Sequence, residues 1–181
     1  MTTLRLTVRD DPVVFYTVDA DAVRIGEIDH HAPHAAILRI GDRAWWLADD
    51  VETAQRAAGA SIARRLLTHA LTPRRYSLRA DGGAQVLARA QRRWRWATRE
   101  NGLDCEIAGT PYRIRVQSVF GGRYALQHGD GRDAGDIVVG SLGRIAHATA
   151  LPLALPEAVF LLYATHRLFG HDPHASTGGG E

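Results

Sequence analysis

The residues best suited to chemistry are three histidines beside a carboxylate: His30, His31 and His34 follow Asp29. Imidazole and carboxylate groups at this spacing suit a divalent metal. A metal so held would activate water for hydrolysis. The HHxxH order is not HExxH, and Pro33 blocks the helix that would bring His30 and His34 onto one face. His30–His34 therefore reads as a solvated loop, and no metal or other cofactor is expected. A metal-dependent hydrolase using this loop is the alternative reading.

The second constellation is Arg92–Arg99, RRWRWATR. In a strand, alternation sets Trp94 and Trp96 on one face and Arg93 and Arg95 on the other. Such a ribbon can meet a membrane surface or stack on single-stranded nucleic acid. It also fits a strand with Trp inside and Arg in water. Two hairpin registers bear on this choice. A two-residue turn at Asn101-Gly102, the strongest short hairpin signal in the chain, would pair Arg99 with Asp104, Thr98 with Cys105 and Trp96 with Ile107. A turn at Ala108-Gly109 would pair Asp104 with Arg113, Cys105 with Tyr112 and Leu103 with Ile114. Asp104 then lies between two arginines, and such cross-strand pairs contribute about 0.2–1 kcal/mol each. Arg92, Arg93, Arg95 and Arg115 have no evident sequence partner and are the candidate anion-binding residues. Cys105 falls on the inward face, where a thiol is inert.

His147 and His166 flank or enter the last apolar segment. His166 is expected to meet solvent or accept a hydrogen bond near a helix end, and Glu157 to need a backbone amide or an arginine if buried. The glycine pairs sit between strands rather than between a strand and a helix, so none forms a nucleotide loop. No GxSxG, Walker or CxxC motif is present. Catalysis is not expected.

These residues are carried by two kinds of element. Leu155–Phe169, LPEAVFLLYATHRLF, is apolar on nearly every face. Pro156 and Glu157 suit a first helical turn, Arg167 a last one, and Gly170 the left-handed position beyond it. A helix with no polar face needs an apolar surround. Leu155, Val159, Phe160, Leu162, Tyr163 and Phe169 are its expected core residues. The span rises about 21 Å at 1.5 Å per residue, short of the ~30 Å of a bilayer core, so no transmembrane span is expected. Most of the remaining chain reads as short alternating strands, from Leu4–Val8 through Arg144–Ala148, with Gly- or Asp-containing turns every 8–12 residues, which signals a barrel or sandwich. The exception is Asp50–Leu71, where Val51, Ala54, Ala58, Ile62 and Leu66 recur at helical spacing around Gly59.

All 22 basic residues are arginine; 20 acidic residues leave a net charge of +2. That balance does not suit a polyanion binder, and no nucleic-acid partner is expected. One cysteine excludes an internal disulfide. The first residues lack the apolar core of a signal peptide, so a cytoplasmic location, peripheral to a membrane at most, is expected. Residues 1–170 read as one domain and His171–Glu181 as a disordered polar tail.

From Tyr76 onward the order of features resembles the Tubby C-terminal-like superfamily, which includes Tubby domains, phospholipid scramblases and the plant LURP-one-related proteins. The residues that carry the resemblance are YSLRADGGAQVLARA (Tyr76–Ala90), YRIRVQSVFGGRYALQHGDGRDAGDI (Tyr112–Ile137) and LPLALPEAVFLLYATHRLF (Leu151–Phe169). The resemblance implies a mainly β fold: a closed antiparallel barrel of about twelve strands around a central hydrophobic C-terminal helix. It also implies binding of a lipid or other anionic ligand. It does not extend to scrambling or calcium dependence, since the chain lacks the cysteine-rich stretch and has only Asp130, Asp133 and Asp136 near one another. The expected function is a non-enzymatic binding or scaffold module, its surface arginines meeting an anionic lipid headgroup or a protein partner. A structural oligomerisation role is a further alternative; composition leaves the oligomeric state open.

Overall fold

A computed structural model describes residues 3–10, 14–32, 35–49, 75–80, 85–95, 100–118, 122–140, 145–149 and 151–169. Twelve strands precede one helix. They are β1 (Thr3–Asp10), β2 (Val14–Ala20), β3 (Val23–Ala32), β4 (Ala35–Ile40), β5 (Arg43–Asp49), β6 (Arg75–Arg79), β7 (Val86–Arg95), β8 (Glu100–Ile107), β9 (Thr110–Ser118), β10 (Arg123–His128), β11 (Asp133–Val139) and β12 (Ile145–Thr149). The helix, α1, spans Leu155–Phe169. Each strand pairs antiparallel with its neighbour in sequence, and β1 pairs with β12, so the sheet closes into a barrel with no free edge. The helical pattern at Asp50–Leu71 and the tail beyond Phe169 lie outside the described residues.

Alternation decides what the barrel encloses. Leu4, Leu6 and Val8 of β1 are buried, as are Tyr16 and Val18 of β2, Leu103, Cys105 and Ile107 of β8, and Ile137 and Val139 of β11. Their inward side chains share one apolar core with α1. Ala158–Arg167, ten consecutive residues, are all buried. At 3.6 residues per turn that covers every face of the helix, so the helix fills the barrel axis. Val159, Phe160 and Leu162 are fully buried and Tyr163 is nearly so. Leu155 is not a core residue: it is 37% exposed, because it opens the helix at the barrel mouth. The side chain of Phe169 lies outside the described residues.

The helix start is capped from within. Ala158 N–H donates to the Ala154 carbonyl at 2.9 Å, and the Ala154 N–H donates to Glu157 Oε2 at 3.2 Å. Glu157 thus meets a backbone amide, the back-reaching half of a capping box. Thr165, buried in mid-helix, donates its hydroxyl to the Leu161 carbonyl at 2.7 Å and so satisfies itself locally.

One hairpin follows the sequence register and another departs from it. At Ala108-Gly109 both turn residues have positive φ, 48° and 78°, and Asp104 pairs with Arg113, Cys105 with Tyr112 and Leu103 with Ile114. Asn101-Gly102, by contrast, is not a turn. It lies inside β8, and β7 runs on without a break through Arg95, so Ala90 pairs with Cys105, Arg92 with Leu103 and Arg93 with Gly102. Arg99, Thr98 and Trp96 lie outside the described residues, and in place of those expected partners Asp104 faces Gln91, Cys105 faces Ala90 and Ile107 faces Ala88. The physical reason is visible at Gly102: a Cβ there would stand 2.5 Å from the Ile114 carbonyl oxygen. The glycine serves a close strand approach, not a turn.

Candidate functional site

The strand directions give the barrel two distinct ends. The helix begins near Thr149 and the β2–β3 turn, and its last turn points to the opposite end, where β1 finishes and β2, β6 and β10 start. Beneath that far end the aliphatic core gives way to rings. Tyr163 of α1 meets Tyr16 of β2 edge-on with centroids 5.5 Å apart, and Tyr76 of β6 at 6.3 Å. His30 of β3 lies 5.5 Å from the Tyr16 ring and 5.9 Å from that of Tyr163. His166 stands edge-on to Tyr16 at 5.4 Å. It is buried rather than solvent-facing, because the Tyr16 ring packs against it.

One hydrogen bond ties this cluster together: Tyr163 Oη and His30 Nε2 are 3.4 Å apart. Burial pushes the Tyr163 phenol well above its ordinary range. Arg167 opposes that shift, while Tyr16, Tyr76 and Asp49 add to it. Cys105 is also buried, and burial together with the Asp104 charge pushes its thiol up, so it stays protonated and unreactive.

His30 is therefore not part of a solvated loop. β3 continues to Ala32, so His30 and His31 are strand residues, and His30 lies on the same face as buried Ile28. The side chain of His31 and all of His34 lie outside the described residues. Among the described residues, no group of three His, Cys, Asp or Glu side chains could hold a metal. Asp130 is held by Arg132 at 2.7 Å and Asp133 by Gln127 at 2.9 Å, each in a local contact of the β10–β11 turn.

Of the four candidate arginines, only the side chain of Arg115 is described. Arg115 is exposed on β9, in register with Gly102 on one side and Ala125 on the other, and it is not without an interaction partner. Arg92, Arg93 and Arg95 are residues of β7 in its last third; their side chains, and those of Trp94 and Trp96, lie outside the described residues. The outer face of β7–β9 has a regular order. Arg89 is in register with Glu106, and Asp104 lies between Gln91 and Arg113, with Arg113 Nε 3.4 Å from Asp104 Oδ1. At the next rung Gly102 lies between positions 93 and 115, so no carboxylate stands between those two arginines in the register.

Arg9, Arg75 and Arg123 escape notice in the sequence, because they lie in strands far apart along the chain. The barrel brings all three to the same end, and all are exposed. Tyr16, Tyr76 and Asp49 are likewise scattered in sequence, and an inward Tyr on a strand carries no signal beyond core packing.

Comparison with family models, with curated proteins and with solved structures yields no match. Among the described residues, no helix is long and apolar enough to cross a membrane.

Proposed function

We propose that this protein is a non-enzymatic binding module whose outer arginines contact anionic lipid headgroups. The observation that carries the proposal is the rung Arg93–Gly102–Arg115. Neighbouring rungs set carboxylates beside arginines, whereas here a glycine separates two arginine positions of the register. The resemblance to Tubby-like domains implies the same ligand chemistry. The barrel axis is taken up by α1, so contact belongs on the outer wall or the rims. Arginine suits this role, since its planar fork meets phosphate oxygens in pairs.

Co-sedimentation with vesicles tests the proposal. The wild-type protein is expected to pellet with phosphatidylcholine vesicles containing phosphatidylserine and to stay in solution with phosphatidylcholine alone. Arg93→Ala/Arg115→Ala is expected to weaken the anionic binding. Equal binding to both vesicle types, unaffected by the double substitution, defeats it, and a protein partner captured through the same arginines would replace lipid as the ligand.

A further inference from the structure

Among the described residues, three large apolar side chains are exposed. Val23 borders the β2–β3 turn and Leu155 opens the helix. Trp46, 40% exposed, stands in the middle of β5 on the outer wall, between Trp45 and Leu47, which pack into the core. A single exposed Trp is ordinary on a protein surface. Its neighbours across the sheet set this one apart.

Across β3, β4, β5 and β6 the register places Asp29, Ile37, Trp46 and Arg79 on one rung. All four side chains belong to the outer face, since Ile28, Leu38, Leu47 and Leu78 beside them are buried in the core. Arg79 Nε donates to Ser77 Oγ at 3.4 Å, along that same face. The rung reads acid, apolar, apolar, base, and the midline between β4 and β5 divides it into complementary halves. A twofold axis along that midline would set Trp46 of each copy on Ile37 of the other, and Asp29 of each against Arg79 of the other. The neighbouring positions are small: Ala44 and Ala48 flank Trp46 on the outer face of β5, and Ala35 of β4 is in register with Ala48. Arg39 bonds the Asp29 carboxylate and lies 3.5 Å from Glu27, which orients Asp29 on the wall. A carboxylate accepts from more than one donor, and a guanidinium has five N–H groups, so these local contacts leave capacity for a partner.

We propose that the outer face of β3–β6 binds a second copy of the chain, as a weak twofold dimer centred on Trp46 and Ile37. Four strands about 4.8 Å apart, each six residues long at about 3.3 Å per residue, give a patch of roughly 400 Å² per copy. That is about half of what a stable interface of standard size takes from each partner. The dimer is accordingly transient and dependent on concentration. Apolar contact at its centre drives association, and the opposite charges on its two flanks fix the pairing geometry. The face lies apart from the Arg93–Gly102–Arg115 rung, so the inference stands independently of the lipid-binding reading.

Sedimentation velocity of the full chain, from micromolar to millimolar concentration, provides the test. The weight-average mass is expected to rise from monomer toward dimer over this range. Trp46→Ala is expected to weaken association at least about tenfold. Asp29→Arg and Arg79→Asp are each expected to abolish it, because each sets like charges together on both flanks. Mixing these two variants in equal amounts is expected to restore it, since every reversed charge then meets its opposite in the other chain. Arg113→Gln, on β9 away from this face, is expected to leave association unchanged. Unaltered urea midpoints show that the variants remain folded. Ile37→Glu keeps the contact between Arg39 and Asp29, so it carries the test if Asp29→Arg unfolds; it too is expected to abolish association. A wild-type chain that stays monomeric at millimolar concentration overturns the proposal and leaves the face to a different partner. Association that survives Trp46→Ala or Ile37→Glu, or a mixture of folded variants no more associated than either alone, also overturns it.

Discussion

Tyr163 Oη lies 3.4 Å from His30 Nε2, and through this contact the central helix touches the barrel wall with a polar group. Most of the rest of the buried helix surface is apolar, and its contacts are non-directional. A buried directional contact penalises slippage, since a rotated helix would leave phenol and imidazole buried without each other. Tyr16 and Tyr76 frame the same phenol edge-on, and such ring pairs add about 0.5–1.5 kcal/mol each beyond area burial.

The helix packing should therefore be dominated by volume and trimmed by polarity. Phe160 is fully buried at the barrel axis. Phe160→Ala is expected to cost about 3–5 kcal/mol through lost transfer energy and a cavity. Tyr163→Phe keeps the ring and loses one long hydrogen bond, so a cost near 1 kcal/mol is expected. Urea unfolding of both variants checks the order; a larger loss from Tyr163→Phe would show that the polar cluster, not core volume, holds the helix.

Removing the helix should remove the fold. A chain ending before Pro156 would expose the inward faces of twelve strands to water, with nothing to fill the axis. Circular dichroism and urea titration of this truncation are expected to show no cooperative transition. A soluble product with a sharp transition would mean that the strands close on their own.

Alkaline pH should destabilise the protein. Burial raises the Tyr163 phenol and the Cys105 thiol above their ordinary values of 10.0 and 9.0. In the unfolded chain both ionise at those ordinary values, while the folded protein keeps them neutral. Their contribution is thus fully present below pH 9 and is lost as pH rises beyond it, first through Cys105 and then, above 10, through Tyr163. Urea midpoints from pH 8 to 11 are expected to fall, and Tyr163→Phe is expected to flatten the fall above pH 10. An unchanged slope in that variant would assign the loss elsewhere.

Two backbone positions should respond in opposite directions to small changes. Ala22 is held at φ 68° in the β2–β3 turn, a conformation that costs an L-residue roughly 1–2 kcal/mol. Glycine adopts it freely, so Ala22→Gly is expected to stabilise by up to about 1 kcal/mol, offset in part by greater freedom in the unfolded chain. Gly102→Ala would drive a Cβ to 2.5 Å from the Ile114 carbonyl oxygen, and a loss of about 1–3 kcal/mol is expected. Thermal melts of the two variants read both signs.

Much of the architecture was legible in local patterns. Alternation marked the strands because one face is buried and the other wet, and the all-round apolar character of Leu155–Phe169 required enclosure. The Ala108-Gly109 register was readable because turn chemistry and apolar pairing agreed there. At Asn101-Gly102 the turn signal pointed one way and strand packing another. Packing prevailed, since a continuous β7 sets Ala88 and Ala90 against Ile107 and Cys105, and the glycine was needed where β8 and β9 approach. His30 was misread for a related reason: a polar run around Pro33 looks like a loop, yet β3 continues through Ala32 and brings His30 to Tyr163.

The sequence by itself determined a β-rich chain with a buried helix, the absence of a disulfide, and an arginine-only set of cations, because these depend on composition and on periods of two and 3.6 residues. Tertiary structure decided which residues meet. Strand closure gathers Tyr16, His30 and Tyr76 around Tyr163, and it distributes Arg9, Arg75 and Arg123 around one rim. Residues so far apart in the chain share no local signal; only the order and direction of twelve strands places them at the same end of the barrel.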